Sequence, residues 1–202
     1  MNGLNKDNVV DLFGKMDDFL ASRRLVKSFL LIGGVLVVHL GMPERSTMDV
    51  DFYSNQVGLK PVLEDMATSL GLLFDPDEHV PDRVYLQWVE PDFVHMPKSD
   101  GWLQDVETAW QGRALTVLRP PVGVVIGSKL AVAREKDISD VVFIASVVPS
   151  WRSSLEKYLP MFSDEDRVEI ARNLVYVDLL SPKDDCENSS VLSPGLPRHG
   201  VK

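Results

Sequence analysis

The run "LIGGVLVVHLGMPERSTMDVDFYS", residues 31 to 54, constrains this chain more than any other stretch. An apolar segment stops at Gly33-Gly34, a second ends at Gly41 and Pro43, and Asp49 and Asp51 follow with one residue between them. Alternation over 48–53 predicts a strand, and residues i and i+2 of a strand leave the same face. Two carboxylates that close raise one pKa unless a cation lies between them. A hard divalent ion such as Mg²⁺ suits them, because it takes oxygen donors and binds through one or two carboxylates plus substrate phosphates. Glycines after a strand let backbone N–H groups approach an anion, and a following helix N-terminus adds a favourable dipole. Taken singly, a glycine pair marks a turn and an Asp-x-Asp marks solvated acids at a strand edge.

The surrounding sequence predicts an α+β chain of α/β-like order. Val9, Leu12, Phe13, Met16, Phe19 and Leu20 recur at helical spacing and predict a helix over 5–27. "SFLLI", 28–32, reads as a buried strand. "VLVVHL" fits either state, since its β-branched residues favour a strand and its position after a glycine turn favours a helix. "LKPVLEDMATSLGL" predicts a helix with Pro61 in its first turn. A loop is expected over 75–82, and strands over 83–89, 93–96 and 114–120. "GVVIGSKLAVAREK" starts a helix, which "DISDVVFIASVV" either continues or replaces with one capped by Asp137. Two more helical stretches run from 150 to 180. Together these give a small mixed sheet flanked by helices, followed by C-terminal helices. From Ser181 on, three prolines and four serines with little apolar periodicity predict a disordered tail, 181–202.

Two motifs in this order resemble the nucleotidyltransferase superfamily with the DNA polymerase β-like fold. "GG" followed by "HLGMPERSTMDVD" is the first, and "SKLAVAREKDISD", 128–140, is the second. The pattern is most similar to the DUF6036 group and to the abortive-infection and toxin–antitoxin nucleotidyltransferases. The resemblance covers roughly residues 25 to 145. It implies a nucleotidyltransferase-like domain over 1–145 with a helical segment, 146–180, packed on it. It implies that Gly33 and Gly34 lie at a triphosphate and that Asp49 and Asp51 bind catalytic Mg²⁺ (or Mn²⁺). Arg45 and Thr47 would shape the turn into the metal strand, with Arg45 reaching toward a phosphate. Lys129 and Lys136 would contact nucleotide phosphates, with Asp137 and Asp140 completing the second motif. On a single helix the two lysines share a face and Arg134 points elsewhere.

The superfamily also uses a third carboxylate on a neighbouring strand. The middle of "RVYLQWVEPDFVHM" has no acid, so Glu90, at its edge, is the expected third catalytic acid, with Asp82 and Asp92 also near the strand ends. The implied substrate is an NTP, with a tRNA end, or a partner protein such as a cognate toxin or antitoxin, as acceptor. The alternative is a noncatalytic binding module on the same fold.

Charge and residue spacing narrow the field. A formal net charge of −9 argues against broad, nonspecific nucleic-acid binding, though not against a local basic pocket. His39, His79, His95 and His199 lack zinc-site spacing. The longest apolar runs are too short to span a bilayer, and no basic segment precedes an apolar one at the N-terminus. One cysteine, Cys186, fits a reducing compartment, so the expectation is a cytoplasmic protein.

Overall fold

The computed structural model describes residues 3–54, 57–77, 80 and 82–180. The predicted tail, with Cys186 and His199, lies outside the described residues, as does His79. Among the described residues, six strands form one mixed sheet in the order β3-β4-β2-β1-β6-β5. β1 (Lys27–Ile32) and β2 (Asp49–Tyr53) run antiparallel at its centre. β4 (Tyr85–Val89) pairs parallel with β2 and with the short edge strand β3 (Leu73–Phe74). On the other side β6 (Leu115–Arg119) pairs parallel with β1 and antiparallel with β5 (Glu107–Gln111).

The first helix, α1 (Val9–Ser22), buries the predicted stripe but is shorter than 5–27 at both ends. At its start the Asn8 and Asn5 side chains accept the N–H groups of Asn5 and Asp7, a local pattern that competes with helix formation. At its end Arg24 takes φ 56° and turns the chain into β1. Asp17 on α1 accepts the N–H groups of Ala114 and Leu115 at 2.7 and 2.8 Å and so fixes the β5–β6 hairpin to the helix.

"VLVVHL" is helical. Its helix α2 (Gly34–His39) buries Val35, Leu36, Val37 and Val38 in succession. A helix apolar all round belongs in an interior. Here Val35, Leu36 and Val38 join the core under the sheet, while Val37 joins a second core formed by the later helices. α3 (Lys60–Leu70) matches its predicted place and ends at Gly71 in the left-handed conformation. The strand expected at 93–96 is absent: Pro91–Phe93 forms a 3-10 turn and the chain runs irregularly to Met96. The N–H groups of Phe93 and Met96 close local bonds to the carbonyls of Glu90 and Val94 at 3.1 and 2.9 Å instead of joining a ladder.

α4 (Val122–Val132) is surrounded by α5 (Glu135–Val147), α6 (Trp151–Tyr158) and α7 (Asp164–Leu180). Ile126 and Leu130 of α4 pack with Leu155, Ile170 and Val177 in the second core. α4 and α5 are separate helices, broken where Ala133 takes φ 54°. No helix among the described residues is long and apolar enough to cross a membrane.

Candidate active site

The site begins with the pleat of β2. Val50 and Phe52 enter the core, which leaves Asp49 and Asp51 half-buried on the opposite face. Just before the strand, Thr47 is held by a two-way backbone bridge to Leu4 (2.7 and 2.9 Å), and its hydroxyl donates to Asp49 Oδ1. The N-terminal segment thus fixes the orientation of the first carboxylate.

Gly33 and Gly34 turn β1 into α2 directly beside the pair. Gly33 has φ 75° and ψ −155°, a combination almost confined to glycine. A Cβ there would land on the Asp51 carboxylate, and a Cβ on Gly34 would meet Arg45 Nη2 at 2.9 Å and Thr47 Oγ1 at 3.2 Å. Gly33 is required by its backbone conformation, whereas a Cβ on Gly34 would press on the end of the Arg45 side chain. We expect Gly33→Ala to cost about 1–3 kcal/mol of stability from backbone strain, read as a lowered thermal midpoint. It should also weaken any ligand that contacts Asp51.

A cleft of about 700 Å³ opens in front of these groups. Gly33, Gly34, Arg45, Thr47, Asp49, Asp51, Glu90, Lys129, Lys136 and Asp137 line it, whereas Asp140, Asp82 and Asp92, also singled out in the sequence, do not. Their arrangement differs from the expectation in three ways.

First, Lys129 and Arg45 are engaged in ion pairs. The fully buried Asp140 accepts Arg45 Nε at 2.9 Å, Arg45 Nη2 at 3.3 Å and Lys129 Nζ at 2.6 Å. Lys129 also lies 3.5 Å from Asp137. The second motif therefore binds the first motif's arginine, and Lys129 is 8% exposed instead of projecting freely into the cleft.

Second, Arg134 does not point elsewhere. The break at Ala133 swings it back so that its Nε donates to Asp137 Oδ2 at 2.7 Å, and it lines the cleft with the exposed Lys136. Burial pushes Asp137 up, but Arg134 and Lys129 together hold it below the usual carboxylate range.

Third, Glu90 does not join the aspartates. It is exposed on the rim one residue beyond β4, and no three metal-capable side chains cluster among the described residues. The residue in register with Asp51 on β4 is Gln87. On the other flank, across β1, it is Ile32. Gln87 and Arg134 are the site residues that sequence reasoning missed.

Burial, and then the neighbouring Asp49, push the Asp51 carboxyl up to about 7, against the pull of Lys129, Lys136 and Arg134. Two hard oxygen donors on one face, one of them holding its proton near neutrality, form a donor set that fits a divalent cation. The rim contributes two further pairs: Lys60 with Asp75 at 3.2 Å, and His95 with Asp166 of α7 at 2.6 Å.

A carboxylate pair beside a glycine turn, in a cation-walled cleft on a mixed sheet, is the arrangement that the nucleotidyltransferase resemblance implies. The sequence model of the family described as nucleotidyltransferase of unknown function (DUF6036) matches residues 7–176, and the chain belongs to that family. The crystal structure of an antigenic nucleotidyltransferase-like protein from Paracoccidioides brasiliensis is similar at 14% identity and a TM-score of 0.48, over 86% of this chain and 95% of that one. No curated protein matches the chain significantly.

Proposed function

We propose that the cleft binds a nucleoside triphosphate with Mg²⁺ or Mn²⁺ and transfers the nucleoside monophosphate to a hydroxyl of an RNA end or a partner protein. The observation that carries this reading is the convergence of Asp49, Asp51, Gly33, Gly34 and the cationic wall on one cleft. Asp49 and Asp51 would hold the cation, which supplies Lewis-acid stabilisation of the phosphoryl oxygens. The Gly33–Gly34 turn brings backbone close enough to meet phosphate oxygens. Arg134 and Lys136 supply fixed positive charge for the leaving pyrophosphate. Lys129 and Arg45 act as positioning residues, holding α5 against the turn into β2 through Asp140. In the transfer, the acceptor oxygen bonds to the α-phosphorus, the bond to the bridging β-phosphate oxygen breaks, and pyrophosphate leaves. The hydroxyl proton passes to solvent or to Glu90 on the rim.

The test incubates the protein with labelled NTPs, Mg²⁺, total tRNA and candidate partner proteins. We expect label transfer, lowered at least about a hundredfold by Asp49→Ala or Asp51→Ala, the scale for losing several kcal/mol of transition-state stabilisation. Absence of nucleotide binding by calorimetry with Mg²⁺ present would sink the reading. A second reading, a noncatalytic nucleotide-binding module such as an antitoxin, draws on the lack of a three-acid cluster among the described residues. It predicts nucleotide binding with no transfer to any acceptor.

A further inference from the structure

We infer that the cleft holds its nucleotide with one divalent cation instead of two, and that Gln87 sets this number. The inference rests on the nucleotide-binding reading above and concerns the stoichiometry of that same site.

The register of the sheet carries it. Strands lie about 4.8 Å apart, and partners in register show their side chains on the same face. The immediate neighbours of Asp51 on that face are therefore Ile32 on β1 and Gln87 on β4, an aliphatic chain and a neutral amide. The partner of Asp49 on β4 is Tyr85, a phenol. No flanking strand adds a carboxylate, and no three-acid group exists among the described residues.

Two cations about 3.5–4 Å apart need enough anionic oxygens to satisfy both. A triphosphate chelates the ion on its own side and relieves the protein of most of that demand. The second ion, over the acceptor oxygen, depends on protein carboxylates. Asp49 and Asp51 alone serve one ion well. A side-chain amide oxygen carries no charge to hold another.

Fixed positive charge also occupies the space. Arg134 and Lys136 line the same cleft. They stabilise phosphate without a second ion and repel one that approaches. The consequence for chemistry is direct: with one cation held by Asp49 and Asp51, the acceptor hydroxyl would lose its proton to solvent or to Glu90 on the rim without help from a second ion.

Manganese counting tests this on the full chain, with α,β-methylene analogues of the four common NTPs as non-transferable probes. Bound Mn²⁺ is read by electron paramagnetic resonance and bound nucleotide by calorimetry. The wild type is expected to bind one Mn²⁺ per nucleotide. Gln87→Glu is expected to bind two, with the weaker site at least about tenfold tighter than any second binding in the wild type. Gln87→Ala should stay at one, because the amide is not a required ligand. Two Mn²⁺ per nucleotide in the wild type overturn this inference while leaving the nucleotide-binding reading intact. A folded Gln87→Glu that still binds one also overturns it. No nucleotide binding under any condition overturns both.

Discussion

Asp140→Ala is expected to destabilise the protein by about 3–5 kcal/mol, the scale for removing one partner of a buried ion pair. Asp140 is fully buried and holds both Arg45 and Lys129, which are 18% and 8% exposed. Without it Lys129 keeps only the longer contact to Asp137. The loss would appear as a lowered denaturant midpoint with an unchanged slope. A double variant, Asp140→Leu with Lys129→Met, separates structure from function. Replacing buried charges with apolar groups of similar volume is often neutral or stabilising. We therefore expect the double variant to regain most of the lost stability while nucleotide affinity stays reduced, since Arg45 no longer has its anchor.

The second large effect depends on pH. Asp51 has an ordinary value of 3.8 and is pushed up to about 7 in the folded chain by burial and by Asp49. Between those values the folded state holds a proton that the unfolded state has released. Stability therefore falls as pH rises from about 4 to about 7 and levels off above, for the metal-free protein. The gap corresponds to at most about 4 kcal/mol. Asp51→Asn removes this cost, so the metal-free variant should be more stable than the wild type at pH 7.5 and nearly equal to it at pH 4. Chemical denaturation at a series of pH values checks this, and an equal advantage at both ends would refute it. Divalent-ion affinity of the wild type should rise about tenfold per pH unit below 7, because the ion displaces one proton, and then flatten.

Much of this site can be read in the linear sequence because its parts are local. The Asp49–Asp51 pair depends only on strand alternation, and the glycine pair on a turn. The rest depends on contacts the chain makes across long distances. Asp140 meets Arg45 across 95 residues, and nothing near either one announces the pairing. Arg134 reaches the cleft because Ala133 takes a left-handed conformation, for which alanine gives no signal. Gln87 matters through the register between β2 and β4, two strands separated in sequence by α3 and β3. β5 was missed because "ETAWQ" is short, half exposed and bulged between Thr108 and Trp110, so it shows no clean alternation. The two-helix outcome at 122–147 was open in the sequence and was decided by the same break at Ala133.

The Arg45–Asp140 pair also bears on the order in which the molecule assembles during synthesis. β2 and its aspartates leave the ribosome long before α5 does. Until Asp140 emerges, Arg45 has no carboxylate partner and the turn into β2 has no anchor on the helical side. Closing a contact of that span comes late in folding, since its chain-entropy cost is met only after local elements exist. A nascent chain halted before Arg134 would carry the carboxylate pair and the glycine turn but lack Arg134, Lys136, Asp137 and Asp140. Ligand competence would therefore arise in a single late event, and unfinished chains would be silent toward nucleotide.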